Sequence, residues 1–216
     1  MDNCEAILKL LLEAVQSAAP VEKKDDSNEI QVGISNRHVH LSQADLDTLF
    51  GEGYQMTKMK DLSQPGQFAC KETVTICGPK GAIEKVRILG PVRSKTQVEV
   101  LTGDCIKMGT KAMARLSGDL AGTPGITIIG PRGSVQTKEG LIVAQRHIHM
   151  TPADAQRFGL HDGQVVNIQF EGPRGGIYSN VAIRANDASA LECHIDTEEG
   201  NAMSINSMSK ITIINK

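Results

Sequence analysis

Short apolar runs separated by glycine- and proline-containing turns make up most of the chain. The segments "IQVGIS", "TVTIC" and "LIVAQ" are rich in β-branched residues, and several of these runs alternate apolar with polar positions. This period of two is typical of half-buried strands. The 21 glycines and eight prolines favour tight turns over a helical bundle. The pattern therefore predicts a mainly β protein.

Residues 1–28 have a different pattern. In "MDNCEAILKLLLEAVQSA", apolar residues recur at helical spacing, which predicts an amphipathic helix. Asp2 and Glu5 stand where an export signal carries positive charge, and the apolar run is too short to span a bilayer. The polar segment "APVEKKDDSNE" then predicts a flexible linker. Two roles fit the helix: packing on the body or on a sister chain, or docking into a partner's groove.

The rest of the chain is an internal duplication. "RHVHLSQADLDTLF" at residue 37 aligns with "RHIHMTPADAQRFG" at residue 146, and the turn "GPKG" aligns with "GPRG". Farther on, Glu99 aligns with His194 at an offset of 95. The first copy is longer because of "YQMTKMKDLSQPGQF", whose turn residues predict a surface loop near the first His-x-His. Each copy is therefore predicted to contain, in order, a strand, the His-x-His motif, a short helix, a hairpin and a further strand.

Helix start signals follow both His-x-His motifs. Ser42 and Thr151 stand at N-cap positions, and Asp45 and Asp154 follow three residues later. Pro152 suits the first turn of the second helix. Each His-x-His is therefore expected at the end of a strand that leads into a capped helix.

The paired histidines are candidate metal ligands. Side chains two apart on a strand share a face, roughly 6.5–7 Å apart along the chain, so two imidazoles can converge on one ion. A third ligand from the later strand leaves one coordination position open, as in catalytic zinc sites. Cobalt, nickel, iron and manganese also accept such ligands. The alternative is that the histidines only cap helices or satisfy backbone groups, but the duplication favours two metal sites: His38, His40 and Glu99, and His147, His149 and His194.

Other polar residues near these motifs have several interpretations. Arg93 precedes Glu99 by six residues, so it either enters the same cavity and binds phosphate or forms an ion pair at the surface. Arg37 and Arg146 alternate with the histidines and are expected to form structural pairs. His161 precedes an Asp-Gly turn and is expected at the surface.

Composition narrows the function classes. The net charge is −2, and no dense basic block suggests a nucleic-acid or membrane-surface partner. Two tyrosines, four phenylalanines and no tryptophan make base-stacking platforms improbable. The five cysteines form no close CxxC pair, which argues against a disulfide framework and favours a reducing cytosol.

Several motifs together resemble the phosphate propanoyltransferases, the phosphotransacylases of the propanediol-utilisation type. They are "GISNRHVHLS", "DLSQPGQFACKETVTICGPKG", "RILGPVRSKTQVEVLTGD", "RHIHMTPADA" and "CHIDTEEGNA", and they span the chain from about residue 30 onward. The resemblance implies two small tandem β-barrels capped by short helices. One barrel would comprise residues 37–145, and the other residues 29–36 plus 146–216. It also implies two zinc ions on the six ligands and a phosphate-binding role for Arg93.

The resemblance further implies exchange of a short-chain acyl group between coenzyme A and phosphate. No G-x-S-x-G elbow is present, so we expect direct transfer without an acylated residue. Two other classes remain open: a dizinc hydrolase of thioesters or phosphoesters, and a non-catalytic module whose metals only staple the barrels together.

The resemblance also suggests where the protein acts and with what. The N-terminal helix resembles the peptides that carry such enzymes into bacterial microcompartments. We therefore expect a bacterial cytoplasmic protein inside a microcompartment, with shell or cargo proteins as partners of the helix. A homodimer is expected as well.

Overall fold

The computed structural model describes residues 28–215. In this range the chain is mainly β, as predicted. The predicted N-terminal helix, and its linker up to residue 27, lie outside the described residues. No helix in the described range is long and apolar enough to cross a membrane. The helices of this range are α1 (Gln43–Phe50), α2 (Thr102–Met108), α3 (Pro152–Phe158) and α4 (Thr197–Met203).

The first sheet has nine strands and curls into a half-barrel. Its inner face packs Val39, Ile76, Ile88, Val98 and Leu141 into one core against the apolar face of α1. The strands are β2 (His38–His40), β3 (Lys58–Asp61), β4 (Phe68–Cys77), β5 (Ala82–Gly90), β6 (Gln97–Val100), β7 (Ala114–Arg115), β8 (Thr127–Ile129), β9 (Ser134–Gln136) and β10 (Leu141–Ala144).

The second sheet closes into a six-stranded barrel in the order β1, β14, β11, β13, β12, β15. Closure leaves no free edge, and the interior is filled by a second core that includes Ile30, Ile148, Ile168 and Phe170. The strands are β1 (Glu29–Ser35), β11 (His147–Met150), β12 (Val165–Phe170), β13 (Gly176–Ala185), β14 (Glu192–Asp196) and β15 (Lys210–Asn215).

The duplication is visible strand by strand. The β4–β5 hairpin corresponds to β12–β13, and each has a bulge at the same place, where Lys85 (φ 57°) and Asn180 (φ 60°) are left-handed. The loop between β12 and β13 (171–175) is one residue longer than the loop between β4 and β5 (78–81), because Glu171 precedes the turn of the second repeat. As predicted, the hydroxyls of Ser42 and Thr151 cap α1 and α3. Each accepts a hydrogen bond from the backbone N–H of the aspartate three residues later, Asp45 or Asp154.

The strand before each His-x-His belongs to the opposite sheet. β1 pairs in parallel with β14 of the closed barrel, although β2, which follows it, lies in the first sheet. In the same way, β10 pairs in parallel with β6 of the first sheet and leads into β11 of the barrel. The chain therefore crosses between the sheets twice, at residues 36–37 and 145–146. The division into two domains stays a prediction.

An arginine at each crossing is paired, in agreement with the expected structural role. The Nε of Arg37 lies 2.7 Å from a carboxylate oxygen of Asp104, and the Nε of Arg146 lies 2.6 Å from one of Glu199. Both acids also accept a hydrogen bond from a backbone N–H at the start of their helix, α2 or α4. These helices follow the strands that carry Glu99 and His194. Each arginine therefore fixes the strand of its His-x-His relative to the strand of the third candidate ligand in the same repeat.

The insertion of the first repeat is only partly a surface loop. β3 is exposed, as predicted, but Gln64 in the following turn is 5% exposed. Its amide donates to the carbonyl oxygen of Ala190 at 3.1 Å and accepts from the N–H of Ala190 at 3.1 Å. A primary amide can satisfy both groups of one peptide at once, so the turn docks on the second barrel instead of extending into solvent.

This docking predicts a stability difference between two glutamine-to-alanine variants. Gln64→Ala removes both hydrogen bonds and should lower the free energy of unfolding by about 1–3 kcal/mol. Gln156→Ala, on the exposed face of α3, should change it by less than about 0.5 kcal/mol. Urea unfolding followed by circular dichroism measures both. Equal midpoints for the two variants would contradict the docking role of Gln64.

Candidate metal and anion site

All six predicted metal ligands line one cavity of about 570 Å³ between the two sheets. In the first sheet, the antiparallel register of β2 and β6 sets His38 opposite Glu99. In the barrel, the register of β11 and β14 sets His147 opposite His194. Residues directly opposite each other share a face, as do residues two apart on one strand. Each repeat therefore brings its three side chains together by strand pairing alone.

The first group comprises His38, His40 and Glu99. The Nδ1 of His38 lies 2.7 Å from the carbonyl oxygen of Asn36, so this nitrogen carries a proton and Nε2 is the atom left for a metal ion. That Nε2 lies 3.4 Å from Oε2 of Glu99. The other carboxylate oxygen of Glu99 accepts a hydrogen bond of 2.6 Å from Gln97. One oxygen of Glu99 is thus fixed by the protein while the other faces the histidines.

The second group comprises His147, His149 and His194. The Nδ1 of His147 lies 2.8 Å from the carbonyl oxygen of Gln145, the crossing residue that corresponds to Asn36. The Nε2 atoms of His147 and His149 are 3.1 Å apart. Two imidazole nitrogens at this separation either share a proton or bind one cation. The two repeats thus use the same carbonyl contact to turn Nε2 of the first histidine inward.

The donor atoms fit divalent metals. Within each group the three donor atoms lie within 4.8 Å of one another. Ligands at about 2.0–2.1 Å around a tetrahedral ion are about 3.3 Å apart, close to the separations of 3.4 and 3.1 Å given above. The buried Nδ1 atoms of His40 and His149 also lack a hydrogen-bond partner in the described part of the chain. No hydrogen bond within that part of the chain therefore stabilises a proton on these two Nδ1 atoms, and protonation of the rings would hinder metal binding.

Electrostatics keep most of these imidazoles neutral. Burial, followed by the charge of neighbouring groups, lowers the pKa of His40 and His149 to about 3 each and that of His147 to about 4. Burial also lowers the pKa of His38, but the carboxylate of Glu99 outweighs it and the net pKa is raised.

Glu99, the carboxylate among the six candidate ligands, is ionised. Burial would raise the pKa of Glu99, yet the charge and hydrogen bond of His38 hold it well below its usual range. His147, from the other repeat, contributes to this lowering, which indicates how near the two groups are. Neutral imidazoles and an ionised carboxylate are the protonation states that metal binding requires.

Arg93 lines the same cavity from a turn and not from a strand. It lies in the turn before β6, where its backbone N–H donates to the carbonyl oxygen of Leu41 at 2.9 Å. Its guanidinium donates to the hydroxyl of Ser117 at 2.9 Å, and Ser117 accepts a second bond from Gln97. Because Gln97 also donates to Glu99, a chain of hydrogen bonds joins Arg93 to a candidate metal ligand.

Several residues of the site were missed from the sequence. Gln97 and Glu192 each precede a third ligand by two residues and so lie on the same strand face, which was a usable signal. Arg184 interrupts the apolar run "VAIRA", a second signal. Ser117 lies in a loop whose sequence has no periodic or motif signal, and only folding brings it next to Arg93. His161, as predicted, is exposed.

Glu192 links His194 to the insertion. One carboxylate oxygen of Glu192 lies 2.6 Å from Nε2 of His194 and also accepts a hydrogen bond from the hydroxyl of Ser63. Gly33 on the neighbouring β1 leaves room for this pair, since an added Cβ would lie 2.9 Å from both side chains. A carboxylate on the second nitrogen of a metal-binding histidine orients the ring.

Comparison with known proteins confirms the family resemblance of the sequence motifs. A family model described as phosphate propanoyltransferase matches residues 31–206. The chain is 54% identical over 186 residues to a phosphate propanoyltransferase of Thermotoga maritima, covering 86% of this chain and 89% of the relative. It is 53% identical to one of Rhodobacter capsulatus, with 82% of each chain covered, and 48% identical to one of Clostridioides difficile, with 96% and 98% covered. The chain therefore belongs to the phosphate propanoyltransferase family, a family of acyltransferases.

Proposed function

We propose that the protein is a dizinc phosphotransacylase that moves a short-chain acyl group directly between coenzyme A and phosphate. The observation that carries the proposal is the single cavity lined by both groups of metal-competent side chains and by Arg93. Membership of the phosphate propanoyltransferase family supplies the reaction class. Of the metals that these ligands suit, zinc matches three nitrogen or oxygen donors with one position open to substrate.

The candidate ligands divide into two unlike groups. His38, His40 and Glu99 form an anionic set, whereas His147, His149 and His194 form a neutral one. When bound, zinc supplies Lewis-acid polarisation of substrate oxygens and stabilises a thiolate at neutral pH. The protein holds the ligands in place with backbone carbonyls, Gln97 and Glu192, which fix ring orientation and carboxylate direction.

Arg93 is the proposed phosphate-binding residue. Its guanidinium can donate two parallel hydrogen bonds to phosphate and remains charged at any working pH. Ser117 accepts hydrogen bonds from both Arg93 and Gln97, so its own hydroxyl hydrogen is left to donate to an anion. Together these groups orient phosphate before it reacts and neutralise charge in the transition state.

The proposed chemistry is one acyl transfer. An oxygen of hydrogen phosphate attacks the thioester carbonyl carbon, a C–O bond forms and the C–S bond breaks. The leaving sulfur takes the electron pair of the broken bond, and the proton of hydrogen phosphate ends on the thiol of coenzyme A. Acyl phosphate and coenzyme A are the products, and the reverse reaction follows the same path.

Direct transfer is favoured because the cavity offers no ready thiol nucleophile. None of the cysteines in the described range lines it. Burial raises the pKa of Cys70 to about 11 and raises those of Cys105 and Cys193, so their thiolates are scarce at neutral pH. In the proposed path both substrates occupy the cavity together, and the acyl group passes between them.

Other parts of the proposal rest on the sequence pattern. We propose that residues 37–145 form one domain and residues 29–36 plus 146–216 the other, with the cavity between them. The N-terminal helix would recruit the enzyme to shell or cargo proteins of a bacterial microcompartment. A homodimer is proposed as the assembled form.

The metal assignment predicts paired losses of zinc and activity. His38→Ala or His147→Ala should lower zinc content by about one ion per chain, because two remaining ligands hold it weakly. Formation of acyl-CoA from coenzyme A and acetyl, propanoyl or butanoyl phosphate should fall by more than about 100-fold. Elemental analysis and thioester absorbance measure the two effects, and His161→Ala is the control.

Full zinc content in either ligand variant would remove that residue from the metal site. A wild-type protein that releases carboxylic acid from acyl phosphate without building thioester would be a hydrolase and not a transacylase.

If Arg93 binds phosphate, replacing it should lower the rate of acyl transfer without lowering the zinc content. Arg93→Ala should slow transfer by about 30- to 1000-fold, or about 2–4 kcal/mol, with two zinc ions still bound. Arg93→Lys should recover little, because one ammonium cannot replace the two-donor fork. Arg132→Ala, at an exposed turn of the same sheet, is the matched control. Near-normal turnover and near-normal phosphate KM in Arg93→Ala would contradict the role.

A further inference from the structure

Four arginines line the cavity: Arg37, Arg87, Arg93 and Arg184. Three of their guanidinium groups have protein partners, namely a carboxylate for Arg37, two backbone carbonyls for Arg87 and a serine hydroxyl for Arg93. Among the residues that the structure describes, none forms a side-chain hydrogen bond or ion pair with Arg184. Its half-buried charge thus faces the cavity without a partner in the described chain.

The position of Arg184 follows from strand pairing. β13 runs parallel to β11, and the register sets Arg184 beside His149. Side chains at paired positions share a face of the sheet, so the guanidinium projects on the side of the candidate metal ligands. The equivalent position of the first repeat, at the offset of 95, is Leu89, which is apolar. The duplication therefore does not account for an arginine here.

A second arginine charge lies near Arg184. Burial lowers the pKa of Arg93. The charge of Glu99 opposes this lowering and repulsion by Arg184 adds to it, so the two arginine charges interact across the cavity. The nearby carboxylates already have partners. Glu99 accepts from Gln97 and faces His38, Glu192 contacts His194, and Asp196 accepts from the backbone N–H of Glu199. Two divalent metals would add further positive charge. An anionic ligand is the group that can balance this cavity.

We propose that Arg184 is a second phosphoryl-binding residue, which acts opposite Arg93 on the substrates. The proposal rests on the proposed function, because it assigns a further residue to the substrates of the same cavity. Either the phosphate that is transferred or a phosphate of coenzyme A can supply the phosphoryl group. Both present oxygens that match the guanidinium fork. Arg184 would hold that group in place beside the His147 side of the cavity.

The test compares four forms of the metal-loaded full chain: wild type, Arg184→Leu, Arg184→Lys and Arg174→Ala. Arg184→Leu installs the residue of the equivalent position in the first repeat, and Arg174, on the exposed β12–β13 turn, is the control. Calorimetric titrations with inorganic phosphate and with coenzyme A give two dissociation constants for each form. Steady-state KM values for the same two ligands, and zinc content, are measured in parallel.

Arg184→Leu should weaken one ligand by about 10- to 100-fold while two zinc ions stay bound. Weaker binding of inorganic phosphate alone assigns Arg184 to the transferred group, and weaker binding of coenzyme A alone assigns it to a phosphate of that molecule. Arg184→Lys should recover only part of the loss, and Arg174→Ala should match wild type.

Two results would overturn the proposal. In the first, both dissociation constants of Arg184→Leu stay within twofold of wild type. In the second, the variant loses zinc, which would make Arg184 a support for His149. A wild type that binds phosphate yet transfers no acyl group would refute the proposed function instead, and the titrations would still decide the role of Arg184.

Discussion

The double crossing of the chain between the sheets is the constraint on which the site depends. Each crossing comes immediately before a His-x-His, and the carbonyl oxygens of Asn36 and Gln145 hold Nδ1 of the first histidine at 2.7 and 2.8 Å. Arg37 and Arg146, one residue later, are paired with an acid on the helix after the third-ligand strand. A single stretch of three residues in each repeat therefore sets the ring orientation, the spacing of the ligand strands and the junction of the two sheets. The cavity lies at this junction because both crossings lead into it.

The two halves share a fold but not a chemistry. Glu99 in the first repeat is replaced by His194 in the second, which makes one set of candidate ligands anionic and the other neutral. The arginines are unequal too. Arg93 has no counterpart in the second repeat, where the equivalent residue is Ala188, and Arg184 has none in the first. A duplicated barrel thus supplies a shared cavity wall, while substitutions at a few facing positions make the two sides of the cavity different. A reaction between two unlike substrates, a thioester and a phosphate, suits such a cavity.

Local patterns predicted much of this, and long-range pairing accounts for what they missed. The mainly β class and the capped helices follow from spacing and N-cap residues such as Ser42, and the structure confirms them. The clustering of the two groups of candidate ligands was predictable because the duplication repeats them, and strand register brings their members together. The burial of Gln64 was not predictable, because turn residues look alike whether they face water or another barrel. Arg184 was overlooked although it interrupts an apolar run, because its lack of a partner in the described chain shows only in the folded structure.

The central claim is that each repeat binds one metal ion at its own three side chains, inside one shared cavity. Anomalous diffraction at the zinc edge from crystals of the zinc-loaded protein tests this claim most directly. The account predicts two strong peaks per chain, one within bonding distance of His38, His40 and Glu99 and one within bonding distance of the three histidines of the second repeat, with about 2.0–2.2 Å to each donor. A fully loaded crystal with no peak at either group, or with a single peak shared by both, would contradict it.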